Sequence, residues 1–214
     1  MTALPCAAVL FDTDGTLVDS TPVVERAARA WAPRYGIDPE EYLAGAHGRR
    51  TSDRVADFLP PERVAEATEE LDALEAADTG GIIALPGVQD LLLSMDGLAW
   101  AIVTSMDRGQ FQARTAAAGI PLPEVVVTAE DVTEGKPDPS GYLLAASRLG
   151  VDPAACVVVE DAPAGIAAGH AAGATVLAVA TSHAASALTA ADLVVPDLTA
   201  VRAERGALRV RSST

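Results

Sequence analysis

Two acids one residue apart, Asp12 and Asp14, close the stretch Val9-Leu10-Phe11-Asp12-Thr13-Asp14-Gly15-Thr16. The apolar run before them, Ala7 to Phe11, is too short for a helix and reads as a buried strand. Gly15 and Thr16 read as a turn. Carboxylates leaving a buried strand repel each other, and each costs free energy to desolvate. A divalent cation and a chemical task are the simplest reasons to keep both. Asp12 then suits a nucleophile, and Asp14 suits its acid/base partner. D-x-D alone is more commonly an Asx turn at a strand end, but D-x-D-G-T is far more specific.

The rest of the chain supplies elements to position these acids. Pro22 opens a helix with Ser20 or Thr21 as its cap, and Val24, Ala27, Ala28 and Trp31 share one face. Pro33 shortens it and Gly36 ends it. Asp38-Pro39 starts a second helix, which His47-Gly48-Arg49-Arg50 interrupts. Ser52 to Leu59 and a segment opened by Pro61 complete an all-helical insert, closed by Gly80-Gly81. Strands then alternate with helices. Strands are expected at Trp100–Val103, Val125–Val127, Cys156–Val159, Thr175–Val179 and Leu193–Val195, with Leu208–Val210 as a small edge strand. This pattern means an α/β fold, a doubly wound parallel sheet of Rossmann-like type. Residues 1–20 and 82–214 form its core, and 21–81 form a helical cap domain inserted after the first strand.

In such sheets ligands bind outside the carboxyl ends of the strands. That rule gathers scattered residues into one site: Asp12 and Asp14, Thr104-Ser105, Glu160-Asp161, and Lys136 on the Gly-Lys-Pro-Asp-Pro turn. Each pair alone has an ordinary reading as a helix cap or an exposed turn lysine. Together and in this order they resemble the four motifs of the haloacid dehalogenase superfamily. Val158-Val159-Glu160-Asp161-Ala162-Pro163-Ala164-Gly165 and His47-Gly48-Arg49-Arg50 look like the corresponding segments of its sugar-phosphate and glycerol-phosphate phosphatases. Ala99 to Ser105, Thr128-Ala129-Glu130 and Gly135-Lys136-Pro137 resemble bacterial sugar and hexitol phosphatases. The likeness runs from Leu10 to about Val195. Met106-Asp107 departs from it, where relatives often carry Gly.

The resemblance implies a Mg²⁺-dependent phosphatase of small phosphomonoesters that works through an aspartyl phosphate on Asp12. It implies Asp14 as acid and base, Thr104 and Ser105 on the phosphoryl oxygens, and Lys136 as the neutralising cation. It gives the metal to Asp12, the Asp14 main-chain carbonyl and Asp161, with Glu160 either ligating or holding a ligand. In the insert, Arg49 or Arg50 would reach the substrate and His47 would orient it. The plainer alternative has one arginine capping a helix or pairing with an acid. Haloacid dehalogenation needs neither the metal nor Asp14. A phosphomutase of the β-phosphoglucomutase type and a non-catalytic sugar-phosphate sensor remain as other readings.

Bulk properties limit the partners. The net charge is −15 over 214 residues, which repels nucleic acid and anionic membranes. A phosphate site must therefore make its positive field locally. No apolar run is long enough to span a membrane, and the first residues lack a basic start, so a cytoplasmic protein is expected. A monomer is expected because a lid must move and no exposed apolar repeat asks for a partner. Two cysteines, Cys6 and Cys156, suit a reducing compartment; they should be buried, reduced and close together.

Overall fold

The computed structural model describes residues 1–45 and 48–211. In chain order the strands and helices are β1 (Thr2–Pro5), β2 (Ala8–Phe11), β3 (Val18–Asp19), α1 (Thr21–Trp31), α2 (Pro39–Leu43), α3 (Thr51–Ala56), α4 (Pro61–Ala77), β4 (Ile83–Ala84), α5 (Val88–Leu93), β5 (Ala99–Val103), α6 (Arg108–Ala118), β6 (Val125–Val127), α7 (Ser140–Leu149), β7 (Cys156–Glu160), α8 (Pro163–Ala171), β8 (Thr175–Val179), β9 (Leu193–Val195), β10 (Val201–Glu204) and β11 (Ala207–Val210).

Six of these strands form one sheet in the order β6-β5-β2-β7-β8-β9. Every neighbouring pair in it is parallel. Its strands are near-continuous apolar runs because helices cover both faces. Alternate side chains separate cleanly. Val9, Phe11, Ile102, Val157 and Val159 pack in one core layer, while Ala8, Leu10, Ala101, Val103 and Val158 pack in the other. The fold is thus α/β and Rossmann-like. Because β2 lies between β5 and β7, Asp12, Thr104 and Asp161 emerge side by side at three carboxyl ends.

Helices α1 to α4 gather around a core of their own, with Trp31, Tyr42, Val55 and Leu71 at its centre. Trp31 donates from Nε1 to the Ala67 carbonyl at 2.9 Å, joining α1 to α4. α1 stops at Trp31, Pro33 lies in the 3₁₀ turn that follows, and Gly36 caps that turn at φ 72°. The chain enters and leaves this helical segment through a two-stranded antiparallel ribbon of β3 and β4, which apolar periodicity did not reveal.

The tail departs from expectation. β11 is not an edge strand of the main sheet but the centre of a separate antiparallel sheet, β1-β11-β10. Its pairing with the first residues of the chain is non-local, and nothing in either stretch alone signals it. Cys6 and Cys156 are free, buried thiols near the opposite end of the main sheet from the acids. Burial is the main influence pushing the Cys156 thiol up to about 11, and the neighbouring Cys6 adds to it.

Two glycines decide whether the strand ends can come together. Gly15 has φ +79°, and a Cβ there would strike the Asp161 carboxylate. Gly165, early in α8, lies against the Glu160 carboxylate with no room for a methyl group. Gly165→Ala must therefore displace a buried acid. Overpacking of this kind costs about 1–3 kcal/mol. Thermal unfolding should show a lower Tm for Gly165→Ala, with turnover falling further than the Tm shift explains. A variant with wild-type Tm and turnover would show that the Glu160 position is not critical.

Candidate active site

Asp12 is buried at the end of β2. Its Oδ1 accepts a hydrogen bond from Lys136 Nζ, and its Oδ2 has no hydrogen-bond partner. Lys136 also donates to Glu160 Oε1 at 2.7 Å and to the Val103 carbonyl at 3.4 Å. Tyr142, on α7, donates its hydroxyl to the same Glu160 oxygen at 2.7 Å. Glu160 Oε2 accepts from the main-chain N–H groups of Asp161 at 3.0 Å and Ala162 at 3.3 Å. Asp161 accepts from the Ser182 hydroxyl. The strand order thus brings Asp12, Glu160, Asp161 and Lys136 into one buried cluster.

Three carboxylates here face one ammonium. One oxygen from each of Asp12, Glu160 and Asp161 lies within 4.8 Å of the others. Burial is the main influence pushing Asp12 up to about 8; Lys136 opposes the shift and Glu160 adds to it. Burial also drives Asp161 well above the carboxylate range, with Asp12 and Glu160 reinforcing it. Burial disfavours the Lys136 charge, but Asp12 and Glu160 outweigh it and hold the ammonium well above ordinary lysine. An all-oxygen donor set of three buried carboxylates facing one ammonium fits a hard divalent cation.

Asp14 turns away from this cluster. Its carboxylate accepts from Ser20 Oγ at 2.7 Å and from Arg114 Nη1 at 2.6 Å. The Ser20 hydroxyl is thereby spent on Asp14 and makes no helix-cap bond. Arg114 reaches from α6 and also donates to Glu75 of α4. Burial opposes the Arg114 charge, yet Asp14 and Glu75 raise its pKa. Sequence reasoning missed Arg114, Glu75 and Arg54. A signal existed: Arg114 shares the buried face of α6 with Phe111, and Glu75 follows Ala67 and Leu71 at steps of four on α4. A charge on an apolar stripe needs a partner.

Thr104 is buried at the end of β5, and its Oγ1 accepts from the Met106 N–H at 3.2 Å. Asp107 caps α6 by accepting from the Gln110 N–H at 2.9 Å, so the Met106-Asp107 departure still starts a helix. Ser105 Oγ donates to the Gly48 carbonyl at 3.2 Å, joining the core to the helical segment. His47 lies outside the described residues. Arg49 lines the cavity with Asp12 and Asp14, but its guanidinium donates to Asp57 at 2.6 Å and to the Asp53 carbonyl at 3.1 Å. Arg50 is directed elsewhere. It donates to the carbonyls of Thr133, Val132, Ala129 and Glu134 at 2.7 to 3.2 Å, tying the helical segment to the loop before Lys136.

The chain also has known counterparts. The family model for haloacid dehalogenase-like hydrolases matches residues 6–173. Hexitol phosphatase A of Escherichia coli (strain K12) is 48% identical over 198 residues, covering 90% of this chain and 92% of that protein. 2-deoxyglucose-6-phosphate phosphatase 1 of Saccharomyces cerevisiae is 37% identical over 220 residues, covering 90% and 88%. Among solved structures, CbbY from Rhodobacter sphaeroides in complex with phosphate superposes with a TM-score of 0.80 at 26% identity, covering 91% of this chain and 95% of that one.

The contact between α4 and α6 carries a pH signature. Gln110 Nε2 donates to Asp72 Oδ1 at 3.0 Å. Burial, opposed by the Thr51 hydroxyl, pushes Asp72 from 3.8 to about 6. Between those values the folded protein binds more protons at Asp72 than the unfolded chain, so this group makes stability fall as pH rises through that window. Asp72→Asn removes the dependence. The difference in Tm, variant minus wild type, should be more positive at pH 7 than at pH 4 by about 2–4 °C for each kcal/mol involved. A difference independent of pH would contradict this.

Proposed function

The chain belongs to the haloacid dehalogenase-like hydrolase family, and from that premise we propose that it is a Mg²⁺-dependent phosphatase of small phosphomonoesters, with sugar and polyol phosphates as substrates. The observation that carries the reading is the state of Asp12. Lys136 fixes one carboxylate oxygen and leaves the other unpartnered, as an in-line nucleophile requires. The curated relatives named above are phosphatases, and no feature of the site favours a mutase or a non-catalytic sensor over them.

In this reading Asp12 Oδ2 attacks phosphorus and the bond to the leaving oxygen breaks. Asp14, oriented by Ser20 and Arg114, gives that oxygen a proton. Asp14 then takes a proton from a water that attacks the aspartyl phosphate, which releases phosphate and restores Asp12. Lys136 balances charge on Asp12 and on the phosphoryl oxygens, while Thr104 donates to those oxygens with Ser105 beside it. Glu160, with both oxygens already engaged, holds Lys136 in place. Asp12, Asp161 and the Asp14 carbonyl would hold Mg²⁺, which when bound supplies further charge neutralisation at the phosphoryl group. The helical segment acts as a cap over this site. Among the described residues no helix is long and apolar enough to cross a membrane. The reduced, buried thiols suit the cytoplasm, and a monomer suffices for the chemistry.

Asp12→Asn keeps shape but removes the attacking charge. Its rate on p-nitrophenyl phosphate with Mg²⁺ should fall by about three orders of magnitude or more, with the fold intact. Wild-type protein quenched in acid during turnover should carry the mass of one phosphoryl group on Asp12. Near-normal turnover by Asp12→Asn would overturn the covalent mechanism.

A further inference from the structure

One wall of the catalytic cavity has polar groups that the chemistry above does not use. Arg54 of α3 and Glu75 of α4 line the same cavity as Asp12 and Asp14. Arg54 is 6% exposed and Glu75 is 3% exposed. Arg54 Nη2 donates to Thr51 Oγ1 at 3.3 Å, and the Arg54 guanidinium carbon stands 5.2 Å from the centre of the Tyr42 ring. Its Nε and Nη1 have no hydrogen-bond partner. Glu75 Oε2 is taken by Arg114 and Gln110, but Oε1 has no hydrogen-bond partner. Glu75 Oε1 lies 3.9 Å from Arg54 Nη2, near enough to attract but too far for a hydrogen bond. Two donors and one acceptor are therefore left unsatisfied side by side, in a place that water barely reaches. Each such group costs free energy unless something pairs with it.

The charges of the wall say what that partner is. Arg114 faces Asp14 and Glu75, Arg54 faces Glu75, and Arg49 faces Asp57. Each of these cations already has a carboxylate. A second phosphate, or any other anion, would press its oxygens against Glu75 without an uncommitted cation to balance it. A hydroxyl accepts from a guanidinium and donates to a carboxylate at once. Neighbouring hydroxyls on one carbon chain supply both at the required spacing.

We propose that Arg54 and Glu75 form the subsite that reads the hydroxyls of the leaving group, making the protein selective for monophosphates of neutral sugars or polyols over compounds with a second anionic group. This rests on the phosphatase reading and gives it a substrate class. Phosphoryl transfer occurs at Asp12, so the subsite contributes mainly to KM and to the choice between substrates. Arg49 and Arg50, which have the stronger sequence signal, are engaged with protein acceptors, whereas Arg54 keeps the N–H groups of Nε and Nη1 for the substrate.

The test compares kcat/KM for sorbitol 6-phosphate, fructose 6-phosphate, fructose 1,6-bisphosphate and p-nitrophenyl phosphate. The variants are Arg54→Met and Glu75→Gln in the full chain with Mg²⁺, each checked for a cooperative melt. The wild-type protein should prefer fructose 6-phosphate to the bisphosphate. Arg54→Met should lower the ratio of kcat/KM on sorbitol 6-phosphate to that on p-nitrophenyl phosphate by about 10- to 100-fold, chiefly through KM. Glu75→Gln preserves volume, keeps an acceptor and removes the charge, so it should raise the bisphosphate to monophosphate ratio even if Arg54→Met does not fold. A wild-type protein indifferent to the second phosphate, or an unchanged ratio in folded Arg54→Met or in Glu75→Gln, overturns the subsite. Failure of the wild-type protein to hydrolyse p-nitrophenyl phosphate overturns instead the phosphatase reading on which it stands.

Discussion

Three carboxylates buried against one ammonium set the terms for the rest of this molecule. Asp12, Glu160 and Asp161 meet where no solvent can separate their charges, and Lys136 balances only one of them. Several features elsewhere in the fold make that meeting possible. The placement of β2 between β5 and β7 brings the strand ends together. Gly15 and Gly165 leave space for the acids. Tyr142 and Ser182 spend their hydroxyls on Glu160 and Asp161. Such an arrangement is poor as a source of stability, since a buried charge without a partner is costly. It makes sense as a place kept ready for added positive charge and for a phosphoryl group.

A second set of charges joins the helical segment to this centre. Arg114 bonds Asp14 on the core side and Glu75 on the helical side, so one guanidinium ties the loop after β2 to the helical segment. Arg50 makes the other connection, filling the carbonyls of residues 129–134 in the stretch leading to Lys136. The protein is strongly acidic as a whole. Its buried arginines at the cavity wall are matched by acids, so against a net charge of −15 a bound cation would have to supply the added positive field for an anionic substrate.

The sheet and the acids were legible in the sequence for a simple reason. A short apolar run that ends in paired acids states both a strand and a site, and the carboxyl-end rule of parallel sheets then places Thr104, Lys136, Glu160 and Asp161 beside Asp12. What stayed hidden depends on partners far apart in the chain. β1 and β10 are sheet strands because β11 pairs with them, and β3 pairs with β4 across the whole helical segment. Arg114, Glu75 and Arg54 read as charged faces of helices until α3, α4 and α6 are packed together. Arg49 and Arg50 stood out because arginine next to His-Gly attracts attention, yet sequence does not reveal which acceptors a long side chain will meet.

The central claim is that the surplus of buried negative charge is a cation site. The most direct measurement is thermal unfolding of the metal-stripped protein as Mg²⁺ is added. Specific binding to the folded state stabilises by about 2.7 kcal/mol at a hundredfold excess over Kd. The account predicts a saturable rise in Tm for the wild-type protein. It predicts a much smaller rise for Asp161→Asn, whose metal-free form should melt no lower than the wild type because the amide carries no charge to desolvate. A wild-type Tm that ignores Mg²⁺, or an equal rise in Asp161→Asn, would contradict it.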